Sequence, residues 1–319
     1  LPISKRGMAG QNDYSYDGNS QLVSASIPLS TGEVFSYDSL GNRITDENGN
    51  FVYDNNQDLL TEDWQYRYSY DNNGNLTTYG TSTYTWDYRN QLTKAGTGSA
   101  TSSYGYDYQG NRVTQAVQGG LTTLYANKLY STNGASTTKH IYAGDTLIAT
   151  VEKIDSATTT HIIHPDHLGG AHVITDANGD VVQTVEYYPF GGIYANTRTT
   201  SLDEVRKFTG HEYDSGVGLN YMRARYQDPG RGQFLSIDPA ARDNPNQFLH
   251  DPQQLNTYSY ARNNPIRYKD PEGKFIQALA LGAVFGGVGG AIYQGYTDYQ
   301  SDNFSGLGAY GSAFIRGGA

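Results

Sequence analysis

Cysteine is absent from the 319 residues. That excludes disulfides, thiolate metal sites and a cysteine nucleophile. Methionine and tryptophan occur twice each and proline ten times. Basic residues are also short, with 22 Lys and Arg against 32 Asp and Glu, a net charge of −10. No Lys/Arg cluster runs along the chain, so nucleic-acid binding through this scaffold is not expected. Phosphate-loop Gly-x-x-x-x-Gly-Lys-Ser/Thr, nucleophile-elbow Gly-x-Ser-x-Gly and zinc-binding His-Glu-x-x-His patterns are missing, and no cofactor is expected. The chain starts at Leu1 without a signal peptide, which reads as an interior piece of a longer protein.

What is abundant is tyrosine (29) and glycine (38), with only 10 Phe. Tyr replaces aliphatic residues as the bulk apolar side chain, and its hydroxyl is expected to stay wet at the edge of a thin sheet. Together with Ser, Thr, Asn and Gly this is a strand-and-turn composition, and the fold class it predicts is all-β.

A repeat dominates the first third. Tyr16-Asp17-Gly18-Asn19, Tyr37-Asp38-Ser39-Leu40-Gly41-Asn42, Tyr53-Asp54-Asn55-Asn56, Tyr70-Asp71-Asn72-Asn73-Gly74-Asn75, Trp86-Asp87-Tyr88-Arg89-Asn90 and Tyr106-Asp107-Tyr108-Gln109-Gly110-Asn111 share one plan. Each is followed by Leu, Ile or Val. The spacing of 16 to 21 residues between aspartates fits one hairpin per unit. An alternating strand such as Tyr66-Arg67-Tyr68-Ser69-Tyr70 puts tyrosines on one face. Asp is expected to cap the turn, and Gly-Asn to supply its positive-φ residues. One such hairpin cannot bury its own face, so neighbours must stack into a continuous sheet.

Over roughly residues 12–115 these units resemble the YD repeats of Rhs proteins and teneurins. The resemblance implies a hairpin spiral forming the wall of a hollow shell. A later block resembles the Rhs-associated core that closes such a shell. It runs from His164-Pro165-Asp166-His167-Leu168-Gly169 through Gly218-Leu219-Asn220-Tyr221-Met222-Arg223-Ala224-Arg225-Tyr226 to Asp270-Pro271-Glu272-Gly273. The implied organisation is a shell segment over 1–120, shell continuation and core over 121–273, and a Gly-rich apolar tail over 274–319.

The sharpest chemical candidate is Asp228 with Asp238 and Arg225. Two carboxyls brought together share a proton, and an Arg holds one of them ionised. Ten residues on a strand–turn–strand permit that approach without requiring it. Resemblance to the C components of bacterial toxin complexes implies an aspartyl-type self-cleavage in which Arg225, Asp228 and Asp238 take part. The implied cut follows Asp270-Pro271-Glu272-Gly273-Lys274, at the Lys274–Phe275 bond. Lys274 departs from the family's usual Leu, and Ala241–Gln254 reads as an insert.

His161, His164 and His167, with Asp166 and His172 nearby, invite a metal reading. On a strand, a step of three alternates faces, so convergence needs a turn and no metal is expected. Phe275–Tyr293 has Gln277 as its one polar side chain before Tyr293. A helical pair inside the shell, a membrane-inserting segment and a linker to a toxin all remain open for it. Residues 295–319 read as the stub of a variable region.

The resemblance implies a secreted or surface-located bacterial shell. It would encapsulate a C-terminal effector and have delivery machinery, an immunity protein or a receptor as further partners. Teneurin-like surface adhesion is the alternative.

Overall fold

The computed structural model describes residues 3–7, 10–28, 30–54, 59–98, 100–243, 252–274 and 277–278. The apolar tail segment 275–293, apart from the backbone of 277–278, and the stub 295–319 lie outside them, as does most of the expected insert. Residues 1–277 form one compact unit and 278–319 a second.

The first unit is all-β and follows the repeat. A five-stranded sheet contains β1 (Ile3–Gly7), β2 (Gly10–Tyr16), β3 (Leu22–Ser26), β4 (Glu33–Tyr37) and β5 (Arg43–Asp46). A hairpin of β6 (Val52–Asp54) and β7 (Leu59–Glu62) follows. Then comes a fourteen-stranded sheet in strict sequence order. Its first half is β8 (Tyr68–Tyr70), β9 (Leu76–Tyr79), β10 (Ser82–Trp86), β11 (Leu92–Thr97), β12 (Ala100–Tyr106), β13 (Arg112–Val117) and β14 (Thr122–Asn127). Its second half is β15 (Tyr130–Thr132), β16 (Ser136–Ala143), β17 (Thr146–Ile154), β18 (Ala157–Pro165), β19 (Ala171–Thr175), β20 (Val181–Tyr187) and β21 (Ile193–Arg198). The pairings across this sheet are antiparallel, as short hairpin connections dictate.

One turn builds the wall. An Oδ1 of Asp17, Asp38, Asp71, Asp87 or Asp107 accepts the backbone N–H groups two and four residues on, at 2.8–2.9 Å. Asp166 and Asp176 make the same turn in the later block. The third residue after Asp carries the positive φ, either Gly41, Gly74, Gly110 or the non-glycines Ser20 and Asn90. Asn in the next position was expected to share that conformation. Instead its side chain works: Asn42, Asn75 and Asn111 donate Nδ2 back to the second oxygen of their Asp.

The register shifts by one residue just before each turn, as where Tyr16 meets Leu22, Tyr70 meets Leu76 and Trp86 meets Leu92. That bulge turns the next strand's first residue inward. Leu22, Leu76 and Leu92 are accordingly buried. Each such side chain contributes about 1.5–3 kcal/mol through burial.

The repeat aromatics do not keep wet polar ends. Tyr37 donates its hydroxyl to the Leu22 carbonyl at 2.8 Å, Tyr106 to Leu92 at 2.7 Å and Tyr187 to Ala171 at 2.7 Å. Trp86 donates Nε1 to Leu76 at 2.7 Å. Each aromatic thus ties its unit to the first residue of the strand that follows the preceding turn, satisfying a buried carbonyl.

A second, smaller sheet packs against the wall. It comprises β22 (Glu212–Asp214), β23 (Leu219–Met222), β24 (Arg225–Asp228) and β25 (Gln233–Phe234). Leu219, Tyr226 and Leu235 share one core with wall residues Leu60, Leu76, Tyr84, Leu92 and Tyr104. This sheet, called the plug below, is built from the core block expected to close the shell. The segment after it caps the wall's turns: Asn264 donates to the Ser20 carbonyl, Asn263 to Gly41 and Tyr258 to Gly74.

Candidate functional site at the end of the core

Arg225 opens β24, two residues after Arg223, which takes a left-handed φ of 59° in the tight turn from β23. Its guanidinium lies 3.5 Å from the centre of the Phe234 ring. Nε donates to the Gly273 carbonyl at 2.6 Å and Nη1 to the Thr257 carbonyl at 2.9 Å. Nη2 donates to two carboxylates, Asp238 at 2.9 Å and Asp270 at 3.1 Å. All three side chains are buried.

Two of the three residues expected to converge therefore do, and the third does not. Asp228 ends β24 and turns to Arg231, whose Nε lies 2.9 Å from its Oδ2. Its other oxygen accepts the N–H of Gly230. Arg231 in turn lies 5.2 Å from the ring centres of Tyr68 and Tyr79. The side-chain alternation along the strand explains the separation: Arg225 and Asp228, three apart, face opposite ways. The carboxylate that stands beside Asp238 is Asp270.

Asp270 belongs to a wall-type turn placed at the end of the core. Its Oδ1 accepts the N–H groups of Glu272 and Lys274, two and four residues on, and Gly273 between them has a φ of +68°. A Cβ on Gly273 would meet the Met222 carbonyl at 2.3 Å, so glycine is required there. The turn is also held from outside. His211 contacts the Pro271 carbonyl through Nε2 at 3.1 Å, and Arg223 pairs with Glu272 at 3.1 Å. The Asp-x-x-Gly spacing at 270–273 is the signal that could have identified Asp270, since it repeats the wall's own turn.

The two carboxylates sit in different fields. Asp270 receives two backbone N–H groups and the guanidinium, which suits its ionised form. Burial pushes the Asp238 carboxyl up, against the opposing pull of Arg225 and the Ala240 N–H. Asp270 adds to the upward push and Lys274 opposes it. A polar cavity of about 10 Å³ lies between Arg225, Asp238, Asp270, Lys274, Asn256 and Ser259. That is about the least space one water needs. A cleft of about 700 Å³, bounded by Trp86 and Arg89, also reaches Asp238 and Lys274. Phe275, on the far side of the implied cut, lies outside the described residues.

The histidines are dispersed. His161 is buried on β18, His164 contacts Thr175 and His167 contacts the Ile266 carbonyl. His172 contacts the Val185 carbonyl. Among the described residues, no three His, Asp or Glu side chains are grouped to hold a metal ion. Nor is any helix there long and apolar enough to cross a membrane.

A larger charged cluster escaped the sequence reading. Arg112 on β13 pairs with Asp214 at 2.7 Å and with Glu212, both on the plug, and Glu212 also takes Arg206 at 2.7 Å. The Arg112 guanidinium stacks 4.2 Å from the Tyr221 ring centre. Burial holds Asp214 above the usual carboxylate range, while two guanidiniums hold Glu212 below it. The contrast follows from one cation against two.

The sequence matches the teneurin YD-shell family over residues 4–266. The chain belongs to this family. It is 32% identical over 306 residues to the tRNA3(Ser)-specific nuclease WapA of Bacillus spizizenii, covering 88% of this chain and 12% of that protein. To toxin subunit YenC1 of Yersinia entomophaga it is 27% identical over 223 residues, covering 60% and 22%. The shell fold is also that of the TcdB2-TccC3-Cdc42 crystal structure, with a TM-score of 0.67 at 19% identity over 85% of this chain and 16% of that one. This YD-shell chain thus spans about an eighth of the length of the WapA relative.

Proposed function

We propose that this YD-shell segment closes a container around a C-terminal effector and cuts the chain at Lys274–Phe275. One observation carries the reading. The turn that ends the core, Asp270–Lys274, is seated on Arg225 with the Asp238 carboxyl beside it and space for one water between them. In the cut, water adds to the Lys274 carbonyl carbon and gives a proton to the ionised Asp270. Asp238, whose carboxyl burial pushes up, donates a proton to the Phe275 nitrogen as the C–N bond breaks. The products are a Lys274 carboxyl and a Phe275 amine. Arg225 positions both carboxyls and holds the Gly273 carbonyl. Asp228, paired with Arg231, supports the plug. A toxin subunit and a tRNA-specific nuclease among the relatives support an effector as the cargo and a location outside the producing cell.

The test is expression of the 319-residue chain with substitutions at each aspartate. The unmutated chain should yield two fragments on a denaturing gel, the smaller beginning at Phe275. Asp238→Asn and Asp270→Asn should leave one band, and Asp228→Asn should still cleave. A single band from the unmutated chain sinks the cleavage reading. The container reading is tested separately in a longer parent. There the effector should resist added protease until Arg112→Ala loosens the plug.

A further inference from the structure

The residue that closes the Asp270 turn breaks the pattern of the repeat turns. At the equivalent position, four after the aspartate, stand the neutral amides Gln21, Asn42, Asn75, Gln91 and Asn111, and in the later turns Gly170 and Asp180, so none of these is a cation. Three of these satisfy the second oxygen of their aspartate. In the Asp270 turn that oxygen goes to Arg225, and the position holds Lys274, a cation. Lys274 lines the small cavity together with Asp238, Asp270 and Arg225. Its charge acts on the Asp238 carboxyl, against the effect of burial.

We infer that Lys274 is a built-in electrostatic brake on the cutting of its own peptide bond. The inference rests on the self-cleavage reading above. The acid role needs a proton on Asp238, and a second cation lining the same small polar cavity favours loss of that proton. The charged groups that face Asp238 are Arg225 from β24 and Asp270 and Lys274 from the terminal turn. Arg242 and Asp243, at the end of the short helix Pro239–Asp243, share the adjoining cleft with it, as do Arg89 and Arg223. Arg225 is fixed by four acceptor contacts and is needed to hold both carboxyls. Lys274 is tied into the turn through its backbone N–H, so its side-chain charge can be removed without dismantling the turn.

The experiment follows the first-order rate of fragment release from freshly synthesised 319-residue chain, across about pH 5 to 9. Lys274→Leu and Lys274→Met should cleave about tenfold faster at neutral pH, with the rate holding to higher pH. Lys274→Arg, which keeps the charge, should match the unmutated chain. Asp238→Asn should abolish release in every background. If Lys274→Leu and Lys274→Arg both match the unmutated chain while Asp238→Asn still abolishes release, the brake is refuted and self-cleavage stands. If no variant cleaves at any pH, or Asp238→Asn cleaves normally, both fall.

Discussion

Arg112 and Asp214, 102 residues apart in sequence, form a buried ion pair of 2.7 Å that joins the wall strand β13 to the plug strand β22. Removing the cation leaves Asp214 and one oxygen of Glu212 buried without their partner. Arg112→Ala should therefore cost about 3–5 kcal/mol. Urea unfolding followed by tyrosine fluorescence measures it. Arg112→Lys should recover little, since a single ammonium cannot serve two carboxylates and stack on Tyr221. Adding Asp214→Asn to Arg112→Ala should restore part of the loss, because the stranded Asp214 charge is gone while Glu212 keeps Arg206.

The hydroxyls that link neighbouring units give a second prediction. Tyr37→Phe, Tyr106→Phe and Tyr187→Phe keep the rings but leave the carbonyls of Leu22, Leu92 and Ala171 without these donors. Each should lower stability by about 1 kcal/mol in the same assay. The alkaline limb follows from the same burial. Tyr14 and Tyr84 are each pushed up to about 12. Above about pH 10 the unfolded chain loses tyrosine protons that the folded chain keeps. Stability is therefore complete below that pH and is lost as pH rises through about 12. Absorbance titration at 295 nm should show these tyrosines ionising only as the protein unfolds.

The turns supply a third. Asp71→Ala removes the acceptor for two backbone N–H groups and for the Asn75 amide, and should cost about 1–2 kcal/mol. Gly273→Ala should cost more than Asp71→Ala. It combines a left-handed φ with a Cβ driven into the Met222 carbonyl. Equilibrium unfolding of the two variants side by side decides the order.

These cases mark what the sequence could and could not convey. The Tyr-Asp period announced the hairpins because each unit carries its own turn chemistry in consecutive residues. The fate of the tyrosine hydroxyls was hidden, since their acceptors lie in the preceding unit and depend on the bulge. Spacing permitted Asp228 as the partner of Asp238 without requiring it, and the resemblance singled it out. Strand alternation instead sends Asp228 to Arg231, and a turn 32 residues after Asp238 brings Asp270 to Arg225. The Arg112 cluster left no local trace, because its members are joined by the packing of plug on wall.

His211 provides the last prediction, and its sign is fixed by burial. The ring contacts Thr209 through Nδ1 at 2.8 Å and the Pro271 carbonyl through Nε2 at 3.1 Å. A neutral ring that donates from Nε2 and accepts at Nδ1 satisfies both. Burial lowers its pKa to about 4, reinforced by Arg223, Arg206 and Lys269, while the Pro271 carbonyl opposes the shift. The folded chain thus keeps the ring neutral where the unfolded chain has taken up a proton. The ring's contribution is present above about pH 6.5 and is lost as pH falls towards 4. His211→Gln retains a donor and an acceptor but has no proton to gain. Its stability deficit against the unmutated chain should be largest at pH 7 and should shrink, by up to roughly 3 kcal/mol, by about pH 4. Urea midpoints at several pH values give the difference directly. A deficit that stays constant across that range would mean that the ring is not held neutral in the fold.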